Sequence, residues 1–155
     1  MSDKDLTIKK VMTKKVITIK SGTTLGEAAE IMVKNNISGA PVVDKDGKMI
    51  GIISEKDLFK KFYPNLQEII KHVGLWLDNE RVEEGIRKKK EIAVDKIMAT
   101  EIISAEPDDP VLKVGSMMLV NRIHRVPVLD RGKLVGIVAR PDIFRRLMKS
   151  DLHLK

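Results

Sequence analysis

Apolar and polar positions along this chain follow two alternating patterns. Val16-Ile17-Thr18-Ile19 is β-branched throughout and predicts a strand. From Leu25 the apolar residues fall on a helical stripe of Leu25, Ala28, Ala29, Ile31 and Met32. Thr24 stands as N-cap, and Glu27 three residues later completes a capping box. Asn35-Asn36, which tolerate a left-handed conformation, are expected to stop that helix. Ala40 to Val43 predicts a second strand, Asp44-Lys45-Asp46-Gly47 a hairpin turn and Met49 to Ile53 a third strand. Ser54 opens a second helix through Leu58, Phe59 and Phe62. Leu6, Ile8 and Val11-Met12 form a short helical lead-in ahead of the first strand, so the unit reads as β-α-β-β-α with a leader.

The pattern then returns. Gly51-Ile52-Ile53-Ser54-Glu55-Lys56-Asp57 is answered by Gly136-Ile137-Val138-Ala139-Arg140-Pro141-Asp142. Met12 and Met98 are 86 positions apart, as are Met32 and Met118, Ile37 and Ile123, and Pro41 and Pro127. Past the hairpin one residue drops out, so Gly51 and Gly136, Asp57 and Asp142, and Phe59 and Phe144 are 85 apart. Self-similarity at a fixed offset marks a tandem of like halves. Residues 6–62 are the first repeat, 63–93 an insert without counterpart and 94–149 the second repeat.

In the insert, Leu66, Ile69, Ile70 and Val73 predict one amphipathic helix closed by Gly74. A second is expected from Asp78 to the basic run Arg87-Lys88-Lys89-Lys90. That run suits a helix C-terminus, where cations complement the dipole, and Glu83 with Arg87 and Glu84 with Lys88 have the spacing of surface pairs. With Trp76 the lone aromatic nearby, a base-stacking surface is disfavoured. In the second repeat Ile102-Ile103-Ser104 predicts the first strand, and Asp109-Pro110 sets a helix start with proline at the first helical position. The helix after it, with Val111, Leu112, Val114, Met117, Met118, Leu119 and Val120, is apolar on more than one face and needs cover on more than one side.

Composition narrows the class. The chain has 155 residues, 43% of them hydrophobic and 33% charged, which fits a well-solvated globular protein. No cysteine is present, which removes disulfides, thiolate metal sites and cysteine nucleophiles. No apolar run approaches a membrane span, and Met1-Ser2-Asp3-Lys4-Asp5 does not read as a signal peptide, so a cytoplasmic protein is expected. A formal charge of +7 favours anionic partners without distinguishing phosphate ligands from RNA.

The ordered set occurring twice (lead-in ending in Met, strand, helix, Pro-Val strand, Gly-Lys turn, then Gly-apolar-apolar with Asp six residues after the glycine) resembles a pair of CBS domains, the cystathionine-β-synthase regulatory module. The resemblance covers about residues 6–62 and 92–149. It implies an α+β fold with two tandem β-α-β-β-α repeats about a pseudo-twofold axis, clefts for adenosine-containing ligands, and homodimers joined through helices. It also implies roles for individual residues. Asp57 and Asp142 would accept hydrogen bonds from ribose hydroxyls, a task a carboxylate's two oxygens suit. Val16-Ile17 and Ile102-Ile103 would line an adenine slot, its edge read by backbone groups of Ser38, Gly39, Ala40 and Pro41, and of His124, Arg125, Val126 and Pro127. Lys56 and Arg140, ahead of the aspartates, would lie near phosphates, as would His124 and Arg125. Ser54 belongs to the same motif.

A bland reading stands beside these roles. Ser54 with Asp57 is also a capping box, which by itself accounts for both residues. Ala139 replaces the serine in the second copy, which leaves Asp142 no reciprocal cap to complete.

Three functions compete: a regulatory module sensing AMP, ADP, ATP or S-adenosylmethionine, a structural dimerisation module, and a nucleic-acid binder. An enzyme is disfavoured, since no histidine pair has metal spacing and neither a Gly-rich phosphate loop nor a nucleophile elbow is present. His72, His124 and His153 lie scattered. No cofactor is required on this reading, and output would pass through an effector protein.

Overall fold

The computed structural model describes residues 6–63 and 79–151; the expected helix at 66–73 with Gly74, Trp76, Asp78, His72 and His153 lies outside them. The chain divides into two compact units.

The first unit is Thr18–Glu101. Its sheet has the order β1 (Ile19–Lys20), β2 (Gly39–Val43), β3 (Met49–Ser54). β1 runs parallel to β2, with Ile19 opposite Val42, and β2 antiparallel to β3, with Ala40 opposite Ile53. Every residue of β2 is buried, whereas β3 alternates buried with half-buried positions, the period-two signature of a strand with one covered face. Helix α1 (Leu25–Lys34) covers that face through Leu25, Ala28 and Met32. Its start is as expected: Thr24 Oγ1 accepts from the Glu27 N–H at 3.2 Å, and Glu27 accepts from the Thr24 N–H at 2.9 Å. It ends at Asn35, followed by Asn36 at a φ of 51°. Helix α2 (Glu55–Phe62) follows β3 directly, and α3 (Asn79–Lys89) packs beside it. Of the expected surface pairs in α3, Lys88 and Glu84 meet at 2.7 Å.

The second unit is Met1–Ile17 with Ile102–Lys155. It contains α4 (Val111–Asn121), β4 (Arg125–Asp130), β5 (Lys133–Ala139) and α5 (Arg140–Asp151). β4 and β5 form an antiparallel hairpin with Val126 opposite Val138. Arg131 and Gly132 both have positive φ at its turn, the geometry that matches the twist of a two-residue hairpin. Val111, Val114 and Met118 of α4 enter the core, while Leu112, Leu119 and Val120 are exposed.

Three expectations need correction. The strand expected over Val16–Ile19 is confined to Ile19–Lys20, and the one expected over Ile102–Ser104 is reduced to a single parallel bridge between Ala105 and Val128. β-branched content marks residues that fit a pleated surface, but a ladder also needs a partner edge, and tertiary context decides how much is paired. Pro110 is the N-cap of α4 rather than its first helical residue; it has extended φ/ψ, and its carbonyl accepts from the Val114 N–H at 3.3 Å.

The lead-ins are exchanged between the repeats. Residues 6–13 open the first repeat in sequence yet fold into the second unit: Ile8 is fully buried in that core and Thr13 bridges Ile137. Val94 is likewise fully buried in the first unit, and Ala99 bridges Ile52. Each lead-in also caps a helix. The Leu6 carbonyl accepts from the Val111 N–H at 3.0 Å, and the Ile92 carbonyl from the Leu25 N–H at 2.8 Å. Both satisfy donors that a helix N-terminus leaves open.

The two methionines show why both lead-ins end as they do. A Cβ on Gly51 would lie 2.5 Å from Sδ of Met98 and 3.0 Å from the Ala99 carbonyl oxygen. One on Gly136 would lie 2.5 Å from Sδ of Met12 and 3.2 Å from the Thr13 carbonyl oxygen. Glycine is required at both places because the lead-in lies directly on the strand.

Candidate functional site

In each unit a strand runs without a linker into a helix, and the sequence-predicted site residues other than Val16, Ile17, Ile102 and Ile103 lie at or beside that junction. In the first unit the Glu55 N–H donates to the Ser38 carbonyl at 2.9 Å, and Gly39 pairs with Ser54. Ser38, Gly39, Ala40 and Pro41 are thereby held beside Ser54, Lys56 and Asp57. In the second unit the Arg140 N–H donates to the His124 carbonyl at 2.9 Å, and Arg125 pairs with Ala139. That bond and pairing hold His124, Arg125, Val126 and Pro127 beside Arg140 and Asp142.

Accessibility differs along these segments. Gly39, Ala40, Pro41, Val126 and Pro127 are buried; Ser38, Ser54, Asp57, Arg125, Arg140 and Asp142 are half-buried; Lys56 and His124 are exposed. Several of the backbone groups expected to read a base are already engaged: the carbonyls of Ser38 and His124 by the helix starts, and that of Pro127 by the Ala105 N–H at 3.0 Å. Val16 and Ile17, half-buried, end the second unit's first segment, and Ile102 and Ile103, also half-buried, open its second.

Both carboxylates are oriented by the backbone. Asp57 Oδ2 accepts from the Ser54 N–H and the Ser54 hydroxyl, each at 2.8 Å, and the Asp57 N–H reaches Ser54 Oγ at 3.4 Å. Asp142 Oδ2 accepts from the Ala139 N–H at 3.0 Å. The expectation that Asp142 has no reciprocal cap to complete is therefore incorrect. The donor is a main-chain N–H, which alanine supplies as well as serine; the hydroxyl alone is lost. On both aspartates Oδ1 has no partner among the described residues.

The basic residues are not equivalent. Strand register and the helix-start bonds make Arg140 the counterpart of Glu55, and Pro141 that of Lys56. Glu55 was not among the predicted site residues, although subtracting 85 from Arg140 reaches it. Arg140 is anchored by Nη2 donating to the Ile123 carbonyl at 3.2 Å, and its Nε is buried with no acceptor among the described residues.

A separate feature of the first unit is an apolar groove of about 770 Å³ between α1, α2 and α3, walled by Met32, Leu58, Phe59, Phe62 and Ile86. The insert thus supplies one wall, through Ile86. Beside the groove Val33 is 82% exposed and Phe59 59%. At the matched positions of the second unit Leu119 is 70% exposed and Phe144 61%. Among the described residues no helix is long and apolar enough to cross a membrane.

The CBS domain model matches residues 8–63 and 94–149, and the chain belongs to that family. A CBS domain-containing protein of Dictyostelium discoideum is 35% identical over 144 residues, covering 92% of this chain and 91% of the relative. The crystal structure of the CBS domain pair of protein MJ0100, in complex with 5′-methylthioadenosine and S-adenosyl-L-methionine, superposes with a TM-score of 0.71 at 29% identity, covering 94% of this chain and 98% of that one. CBSX2, a protein of Arabidopsis thaliana, in complex with AMP gives 0.70 at 25% identity, with the same coverages. The chain also matches parts of longer curated proteins, enzymes among them, of which it spans 22% to 43%.

Proposed function

We propose that this protein is a regulatory ligand-sensing module that binds adenine nucleotides or other adenosyl compounds (AMP, ADP, ATP or S-adenosylmethionine) at its strand–helix junctions and performs no chemistry on them. The observation that carries the reading is the arrangement of Asp57 and Asp142. Each has one oxygen fixed by a backbone N–H while the other has no partner among the described residues, an acceptor pre-oriented for a ribose hydroxyl. The relatives in complex with AMP and with adenosyl compounds support it. On this reading Val16, Ile17, Ile102 and Ile103 contact the base, the chain works in the cytoplasm, and the signal passes to an effector protein.

Assembly belongs to the same proposal. Matched exposed apolar residues on both units, Val33 with Phe59 and Leu119 with Phe144, suit a homodimer that buries them through the helices. Light scattering should give about twice 17.4 kDa. Val33→Glu combined with Leu119→Glu should return the protein to a monomer.

Calorimetric titration of protein stripped of co-purified ligand, against AMP, ADP, ATP, S-adenosylmethionine and NADH, tests the binding. At least one compound should bind, with Asp57→Ala and Asp142→Ala each removing one site. No binding up to millimolar ligand establishes instead a structural dimerisation module, the reading the capping role of Asp57 favours.

A further inference from the structure

We infer that the two junctions take different classes of adenosyl compound: the α5 junction discriminates in favour of a phosphate, with Arg140 as its specificity-determining residue, and the α2 junction takes the nucleoside without that preference. This rests on the adenosyl-binding reading above.

The two junctions share backbone and carboxylate but not charge. At the first helical position, where the N–H is tied to a strand-entry carbonyl in both units, one carries Glu55 and the other Arg140. The strand-entry pair is Ser38-Gly39 in one and His124-Arg125 in the other. Formal charge at the six matched positions is −1 around α2, where Glu55 and Asp57 outweigh Lys56. It is +1 around α5, where Arg125 and Arg140 outweigh Asp142. Opposite local signs act oppositely on a dianionic phosphate and leave an uncharged ribose and base nearly untouched.

Geometry adds to charge at α5. Arg140 is held by its Nη2 bond to the Ile123 carbonyl, so its guanidinium is ordered before any ligand arrives. Its Nε is a buried donor for which the described residues provide no acceptor. With Nε buried and Nη2 on the Ile123 carbonyl, the remaining Nη hydrogens are the donors that a phosphate oxygen would meet, on a charge held in place. At α2 the only cation at the corresponding turn, Lys56, is exposed and unanchored by any hydrogen bond among the described residues, and Glu55 precedes it. Its Coulombic pull is therefore weak and screened.

The test is two-site calorimetry on the full chain with adenosine and AMP as probes, the sites assigned with Asp57→Ala and Asp142→Ala. Adenosine should bind the two sites within about threefold of each other, and AMP should bind the α5 junction at least about tenfold more tightly than the α2 junction. Arg140→Glu should weaken AMP at its site roughly tenfold to a hundredfold with adenosine changed less than about threefold. Glu55→Arg, an exposed change that leaves the fold intact, should raise AMP affinity at the α2 junction. If both probes bind both sites alike, or if Arg140→Glu weakens adenosine as much as AMP, the inference is overturned while adenosyl binding stands. If neither probe binds the wild-type protein, the adenosyl reading falls and this inference with it.

Discussion

Set side by side, the two units agree where they pack and disagree where they meet solvent. Gly51 under Met98 repeats as Gly136 under Met12, with matching distances that agree within 0.2 Å. Ile8 and Val94, 86 positions apart, are both fully buried. At the helix starts a few residues away, Glu55 is matched by Arg140, Ser54 by Ala139 and Lys56 by Pro141. A tightly packed strand contact tolerates no added volume, so both copies keep the same solution. A half-exposed first turn needs only a backbone donor and a carboxylate to cap it, which leaves its remaining side chains free to differ. The difference teaches where specificity can sit: on residues that packing does not fix.

The largest effect should come from breaking that shared packing. Gly51→Ala and Gly136→Ala each place a Cβ against a methionine sulfur and near a carbonyl oxygen, and each should cost about 1–3 kcal/mol. The two costs should be similar. Adding Met98→Ala to Gly51→Ala, or Met12→Ala to Gly136→Ala, should recover part of the loss beyond additivity, measured by denaturant unfolding as a double-mutant cycle. A strictly additive cycle would show that the methionines are not what excludes a side chain there.

These contacts also mark how far the sequence could be read. The repeat was legible from its fixed offset, and the capping box at Thr24, the hairpin turns and the two strand–helix junctions because each depends on residues close in sequence. The exchange of lead-ins was not. Leu6 to Met12 and Ile92 to Met98 carry the same pattern, so subtraction cannot tell which strand either lies on. The cap made by Asp142 has no signal in the serine pattern, because its donor is the Ala139 main-chain N–H, which does not depend on residue type. Lys56 and Arg140 look alike because both are basic and precede an aspartate; the offset of 85, which the strand register bears out, separates them. The insert's contribution of Ile86 to an apolar groove has no signal in a segment without a counterpart.

A smaller effect follows from the one hydroxyl that separates the junctions. Ser54→Ala should cost about 1 kcal/mol, the usual loss at an N-cap, and no more, because Asp57 keeps its bond from the backbone N–H as Asp142 does. Ala139→Ser should stabilise the second junction by up to about 1 kcal/mol. Thermal melts of the two variants give the comparison, and a loss of stability in Ala139→Ser would mean that the two caps differ in more than the hydroxyl.

The smallest effect concerns a link built with opposite polarity in the two units. In the first, the lead-in supplies the carboxylate: Asp95 accepts from the Ser21 hydroxyl at 2.5 Å and from the Gly22 N–H at 2.7 Å. In the second, the position matching Asp95 is Lys9 and that matching Gly22 is Asp108, and the two form an ion pair at 2.6 Å. The Ser21 hydroxyl, and after it the Gly22 N–H, hold the Asp95 carboxyl below its usual range. A carboxylate whose folded pKa is depressed adds stability that is present above its unfolded value of about 4 and is lost as pH falls through the folded value. Asp95 is too solvent-accessible for this to exceed about 1 kcal/mol. Asp95→Asn should therefore lower Tm slightly at pH 7, and the gap to wild type should close as pH falls below about 4. Asp108→Asn removes an exposed ion pair worth roughly 0.2–1 kcal/mol, and its effect should shrink when salt is raised to about 1 M, where the screening length falls to about 3 Å. The Asp95 effect, built on short hydrogen bonds to a hydroxyl and an amide, should persist in the same salt. If salt erases both effects equally, the Asp95 contacts act only as surface charge, and the two units are joined to their lead-ins by the same kind of force after all.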